Sequence, residues 1–306
     1  MITILSHILP AITLFAAFLL LPASAVATLP RSSTQQNSST VQNGSTVQKG
    51  STLQNGSTAQ EGSTLHALPF KGGESLSYAI TYQWGAVNTE VGSAELILNY
   101  SNGIFNPVVT GKSTKFWDRF YKVRELFEST FREKDGRPLT FRRDTREGKY
   151  FVENNITFNN KDYSIECKVV RKGTPLPDTT LQGTAETYDL LSLFYKVRGL
   201  DFSKVEIDKP QPISFVIDRE IYNLHYIYHG PEVKKIKGVG KFNVLKFSLM
   251  VVTGEVFSGK DYITLYVTDD SNHIPLLFES PILVGKVVGV ITKWDGLKYN
   301  LTSQIK

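Results

Sequence analysis

The sequence predicts a mainly β fold, a long antiparallel sheet curled around a helix. Three observations predict it. Segments after Phe70 alternate polar and apolar residues, as half-buried strands do. Clusters of Gly, Asn, Asp and Pro separate them at roughly 8–12-residue spacing. One segment alone switches to the helical period.

The strands come first. Ser75–Tyr82, Ala94–Leu98, Tyr150–Phe158, Tyr163–Val169 and Tyr262–Val267 all alternate. Turn signals fall between strands at Asn102-Gly103, Asp135-Gly136, Asn159-Asn160, Gly230-Pro231 and Asp269–Asn272. The count is about a dozen strands. The helix is expected over Thr187–Gly199. Thr187 serves as N-cap, and Asp189 sits in the first turn, where the helix dipole favours an anion. Leu190, Leu191, Phe194 and Val197 form its apolar stripe, and Gly199 stops it. A shorter helix is expected at Phe116–Tyr121. Both segments contain Phe-Tyr-Lys-Val-Arg (120–124 and 194–198), but the match does not extend outward.

Three stretches divide the chain. Residues 1–25 read as a signal peptide, with an apolar heart at Ala11–Leu21, a helix-ending Pro22 and small residues at Ala23-Ser24-Ala25. The heart is far shorter than the roughly 20 residues that span a bilayer. No stable transmembrane segment is therefore expected after cleavage. Residues 26–69 read as a disordered tether, because 32–67 are six copies of a Gly/Ser/Thr/Gln hexapeptide. Each copy has at most two small aliphatic residues, too few to offset ordering of the backbone. Residues 70–306 read as a single β-rich domain.

Composition excludes several functions. A net charge of +5, from 34 Lys+Arg and 29 Asp+Glu, is too mixed for a nucleic-acid binder. One Cys forms no internal disulfide, and none lies near the cleavage site to carry a lipid. Alternation places Cys167 inward with Ile165 and Val169, as an inert thiol. His225 and His229 are four apart on a strand, about 13 Å, too far to share a metal. Gly238-Val239-Gly240 precedes a strand and reads as a turn, and Asp269-Asp270 as a turn with local hydrogen bonds. No catalytic residue, metal site or cofactor is assigned. Two basic clusters, Arg142, Arg143, Arg146 with Lys149, and Lys234, Lys235, Lys237 with Lys241, read as solvated strand edges. The alternative is a surface for an anionic partner. The densest aromatic cluster, Phe116, Trp117, Phe120 and Tyr121, is the candidate ligand-binding wall.

An ordered series of motifs adds to this. Phe116–Glu125, Phe127-Glu128-Ser129, Arg137-Pro138-Leu139, Glu147–Tyr150, Tyr188–Tyr195 with Arg198, Gly240–Lys246, Val267–Pro275 and Ile282–Gly285 resemble the exported bacterial domain-of-unknown-function family 3108. The resemblance covers roughly 70–295. It implies export to the periplasm of a Gram-negative bacterium, with outer-membrane association open. It also implies an open half-barrel similar to periplasmic lipoprotein-localisation carriers. The reading ranked first is a non-catalytic binding or carrier module for an amphipathic envelope ligand. An envelope assembly or interaction protein comes second, and a glycan or lipid hydrolase third. Partners would be a lipid, a glycan or an envelope protein.

Overall fold

The computed structural model describes residues 68–250, 262–282 and 284–306. The expected signal peptide and nearly all of the expected tether lie outside the described residues. The first seven strands form a meander: β1 (Glu74–Trp84), β2 (Val87–Ser101), β3 (Ile104–Ser113), β4 (Val123–Arg132), β5 (Pro138–Glu147), β6 (Tyr150–Phe158) and β7 (Ser164–Arg171). Short strands β8 (Thr174–Pro175), β9 (Thr179–Gln182) and β10 (Thr187–Tyr188) lead into helix α1 (Leu190–Arg198). A second meander follows: β11 (Pro210–Ile217), β12 (Glu220–Ile236), β13 (Gly240–Met250), β14 (Tyr262–Thr268), β15 (Pro275–Pro281) and β16 (Lys286–Asp295), with β17 (Gln304–Ile305) beside β13.

β1 joins the meanders, pairing with β2 on one side and β16 on the other. The result is one large sheet. It stays open, because β7 and β11 at its two ends do not pair with each other among the described residues. Consecutive parts of one segment pair with each end: β9 adds to β7, and β10 adds to β11. Register shifts in five strand pairs bend the sheet, as extra residues do at bulges.

Seventeen strands among the described residues exceed the expected dozen. Four of them are only two to four residues long, too short for alternation to reveal. The helix is where the period placed it, but its N-cap moves. Thr187 belongs to β10, and Asp189 caps α1, accepting from the Leu191 and Ser192 amides at 2.9 and 3.0 Å. Asp189 wins because its carboxylate also accepts from the Ser129 hydroxyl across the core, at 2.9 Å. The shorter helix is a single 3-10 turn, Trp117–Arg119.

The concave side is filled. Leu190, Leu191 and Tyr195 of α1 join one buried cluster running from Leu96 and Phe127 to Val244 and Phe278. Full burial of each such side chain contributes about 1.5–3 kcal/mol. In the structure, residues of both meanders pack with α1 in the same cluster.

Candidate functional site

The strands run between two ends, one near Glu74 and one near Trp84. Each end carries a candidate site.

The four sequence-predicted aromatics lie together at the Trp84 end, in the β3–β4 connection, but they face different ways. Trp117 is buried, and its indole N–H donates to the Glu90 carbonyl at 3.2 Å. Tyr121 is half-buried beneath Gly148, which has a φ of +55° and where a Cβ would come within 2.6 Å of the Tyr121 ring. Phe116 and Phe120 point outward, 59% and 50% exposed, with ring centroids 5.6 Å apart. Asp118 fixes the turn by binding Arg124 at 2.7 Å and the Ser113 hydroxyl. The Arg124 guanidinium lowers the Asp118 carboxyl to about 2.

The Glu74 end holds a cleft of about 760 Å³. Three pieces distant in sequence enclose it: the stretch from Leu68 to Gly72, the β2–β3 turn and the β4–β5 turn, with Lys298 closing one side. Asn102 and Gly103 both have positive φ, which a two-residue hairpin turn of this hand requires. Leu68, Phe70, Tyr100, Ile104 and Phe105 form apolar walls, and Lys71, Arg132, Lys134 and Lys298 supply cations. The one carboxylate, Glu133, accepts from the Tyr100 hydroxyl at 2.6 Å. Arg132 pairs with Asp135 at 2.7 Å, and Lys298 donates to the Leu68 carbonyl at 2.8 Å. Lys71 and Lys134 are exposed and make no ion pair among the described residues.

The cleft floor is anchored from inside. The Phe70 ring meets Phe105, Tyr195 and Phe131 edge-on, at 5.3, 4.7 and 6.4 Å. Beneath lies a buried, two-pronged ion pair, Arg198 to Glu74 at 2.6 and 2.9 Å. Arg198 also donates to the Asn272 carbonyl and stacks over Phe70 and Tyr195. Sequence reasoning missed Glu74 as a site-building residue, although it is in phase with Leu76, Tyr78 and Ile80.

A second buried polar group lines the inner face of β4–β6. Arg143, expected on a solvated edge, is 1% exposed. Its strand β5 is central, flanked by β4 and β6, and alternation sends Arg143 inward with Phe141. It binds Asp218, the tip of the β11–β12 turn, at 3.1 Å, and Asn154 donates to the same carboxylate at 3.0 Å. Nearby, Glu125 and Glu147 share the interior. Burial, then the neighbouring Glu147, pushes the Glu125 carboxyl well above the usual carboxylate range. Each carboxyl disfavours ionisation of the other. The signal was present in Val123-Arg124-Glu125-Leu126-Phe127, where Glu125 falls in phase with the buried residues.

The remaining residues singled out by sequence are structural. His225 bonds Tyr262, and His229 bonds Asp208 and Ser248, so their partners differ. Cys167 is buried with its thiol pushed up to about 12 by desolvation. Asp270 accepts from Asn272, Thr268 and Ser303, a turn tied to the chain end. Lys234 lies 3.9 Å from the Tyr266 ring centroid, a cation–π contact rather than a free charge. Among the described residues, no cluster of three or more His, Cys, Asp or Glu could hold a metal, and no helix is long and apolar enough to cross a membrane.

Residues 77–292 match the family described as Protein of unknown function (DUF3108). The chain belongs to that family. No curated protein matches it. Among solved structures, it is similar to a beta-barrel-like protein of the domain of unknown function DUF1849 from Brucella abortus. The TM-score is 0.53 at 12% identity, covering 76% of this chain and all of that one (100%). That likeness supports the fold: a mainly β, barrel-like sheet. A protein with a YmcC-like fold from Bacteroides fragilis matches more weakly, with a TM-score of 0.33 and 7% identity over 74% of this chain and 98% of its own.

Proposed function

We propose that this DUF3108 protein is an exported envelope protein that binds an amphipathic, anionic ligand without transforming it. The observation that carries the reading is the cleft at the Glu74 end. It pairs an apolar floor with cations, within the roughly 300–1,000 Å³ range of small-molecule sites. An acyl chain would lie against Phe70, Phe105 and Ile104. An acidic head group would meet Lys71 and Lys134, the two cleft cations whose side chains have neither an ion pair nor a hydrogen bond among the described residues. Periplasmic location is part of the proposal and rests on the N-terminal apolar segment; N-terminal sequencing of the exported chain tests it.

Native mass spectrometry of the chain purified from its envelope tests the binding reading. The expected result is a bound acidic lipid that Lys71→Glu/Lys134→Glu removes while the fold survives. A chain that carries no ligand and takes up none from added acidic lipid would sink it. The hydrolase reading would need Glu125 and Glu147. These carboxyls are enclosed, 5% and 1% exposed, where a substrate does not reach them.

A further inference from the structure

We infer that the Trp84 end of the sheet is a docking surface for an anionic phospholipid bilayer. This inference does not rest on the cleft, which lies at the other end.

Exposed large apolar residues scattered singly on a surface require no explanation. Here four of them gather at one end, in two adjoining turns. Trp84 and Val87 flank the β1–β2 turn, 41% and 45% exposed, and Phe116 and Phe120 cap the β3–β4 connection. The two turns are tied together. The Thr114 amide donates to the Val91 carbonyl at 3.0 Å, and the Trp117 indole to the Glu90 carbonyl. Both aromatic rings are therefore held outward by a buried neighbour.

Charge completes the pattern. Lys115, Arg119 and Lys122 surround the two Phe rings, all exposed. Lys149 joins them, because the Gly148 amide donates to the Lys122 carbonyl at 2.9 Å. None of the four makes an ion pair among the described residues. The acidic side chains of these turns are Glu90 and Asp118, and Asp118 is already held by Arg124. Outward aromatics among unpaired cations match a bilayer whose interface accepts rings and whose head groups are anionic. A protein partner complementary to this end would need a deep recess and acidic groups together; a bilayer supplies both without shape matching.

The test is local to this end. An environment-sensitive fluorophore is attached at Ala86→Cys in the full chain, where Cys167 is buried and stays unlabelled. A control carries it at Lys161→Cys, at the opposite end. Vesicles of phosphatidylglycerol and phosphatidylcholine are compared with phosphatidylcholine alone. The expected result is a blue shift at position 86 only, and only with phosphatidylglycerol. Phe116→Ser/Phe120→Ser abolishes it, and Lys115→Glu/Arg119→Glu weakens partitioning roughly tenfold or more. The charge variant keeps the test valid if the Ser pair unfolds. No shift at 86, an equal shift at 161, or a shift indifferent to the charge pair would overturn the inference and favour a protein partner for these rings.

Discussion

The two ends of the sheet use the same residue types for opposite shapes. At the Glu74 end, Phe70, Phe105 and Tyr100 line a recess, and cations stand around it. At the Trp84 end, Phe116 and Phe120 protrude, and cations stand beside them. The difference lies in what sits beneath. Phe70 is pulled inward by Tyr195, which stacks on the Arg198–Glu74 pair. Phe116 and Phe120 are displaced outward because Trp117 occupies the interior position of their turn. Aromatic composition alone does not decide between a pocket and a prong; the buried neighbour does.

Breaking the inner anchor of the recess has the largest expected effect. Arg198→Ala leaves Glu74 buried without its partner and is expected to cost about 3–5 kcal/mol by urea unfolding. Arg198→Met with Glu74→Gln should recover most of that loss. A cost below about 1 kcal/mol for Arg198→Ala would remove the pair from the account of the cleft floor. The anchor of the prong comes next. Trp117→Ala is expected to cost about 3 kcal/mol, since it empties a core position. An unchanged unfolding midpoint would place the ring on the surface.

A pH effect sharpens the contrast, because α1 supports the recess through a titrating cap. Burial raises the Asp189 carboxyl from 3.8 to about 6, against the hydrogen bonds that lower it. The folded state therefore holds this proton more tightly than the unfolded chain. The stability it contributes is complete below about pH 4 and is lost as pH rises to about 6. Asp189→Asn, which still caps a helix, should flatten the unfolding midpoint across that window. An unchanged pH profile would contradict the burial of the carboxyl. The smallest effect belongs to the protruding rings: Phe116→Ser and Phe120→Ser should each change stability by no more than about 0.5 kcal/mol. A larger loss in thermal melts would show that these rings pack rather than project.

Much of the fold was legible in the sequence. Alternation in Ser75–Tyr82 and Tyr150–Phe158 located strands whose burial follows the same phase. Asn102-Gly103 marked a turn that the backbone angles require. The short strands β8, β10 and β17 were not legible, because two residues carry no period. Arg143, Glu125 and Glu147 were in phase with the core all along. Charge argues for the surface, and only the facing Asp218 and Thr145 reveal why these groups are buried. The aromatic cluster was found as a unit, but its division into buried Trp117 and outward Phe116 and Phe120 depends on the Glu90 carbonyl, 27 residues away. The cleft was invisible for a simpler reason. Its walls come from residues near 70, 103, 133 and 298, and no local pattern joins them.

The recess at the Glu74 end is proposed to bind an amphipathic anion. The most direct measurement is a fluorescence titration of the full chain with a long-chain fatty acid, repeated with the alcohol of equal length. Saturable one-to-one binding is predicted for the acid. It should weaken about tenfold for the alcohol and for Lys71→Glu/Lys134→Glu, equivalent to about 1.4 kcal/mol, and fail with Ile104→Asp. Binding that does not saturate, or that is equal for acid and alcohol and indifferent to all three substitutions, would contradict it.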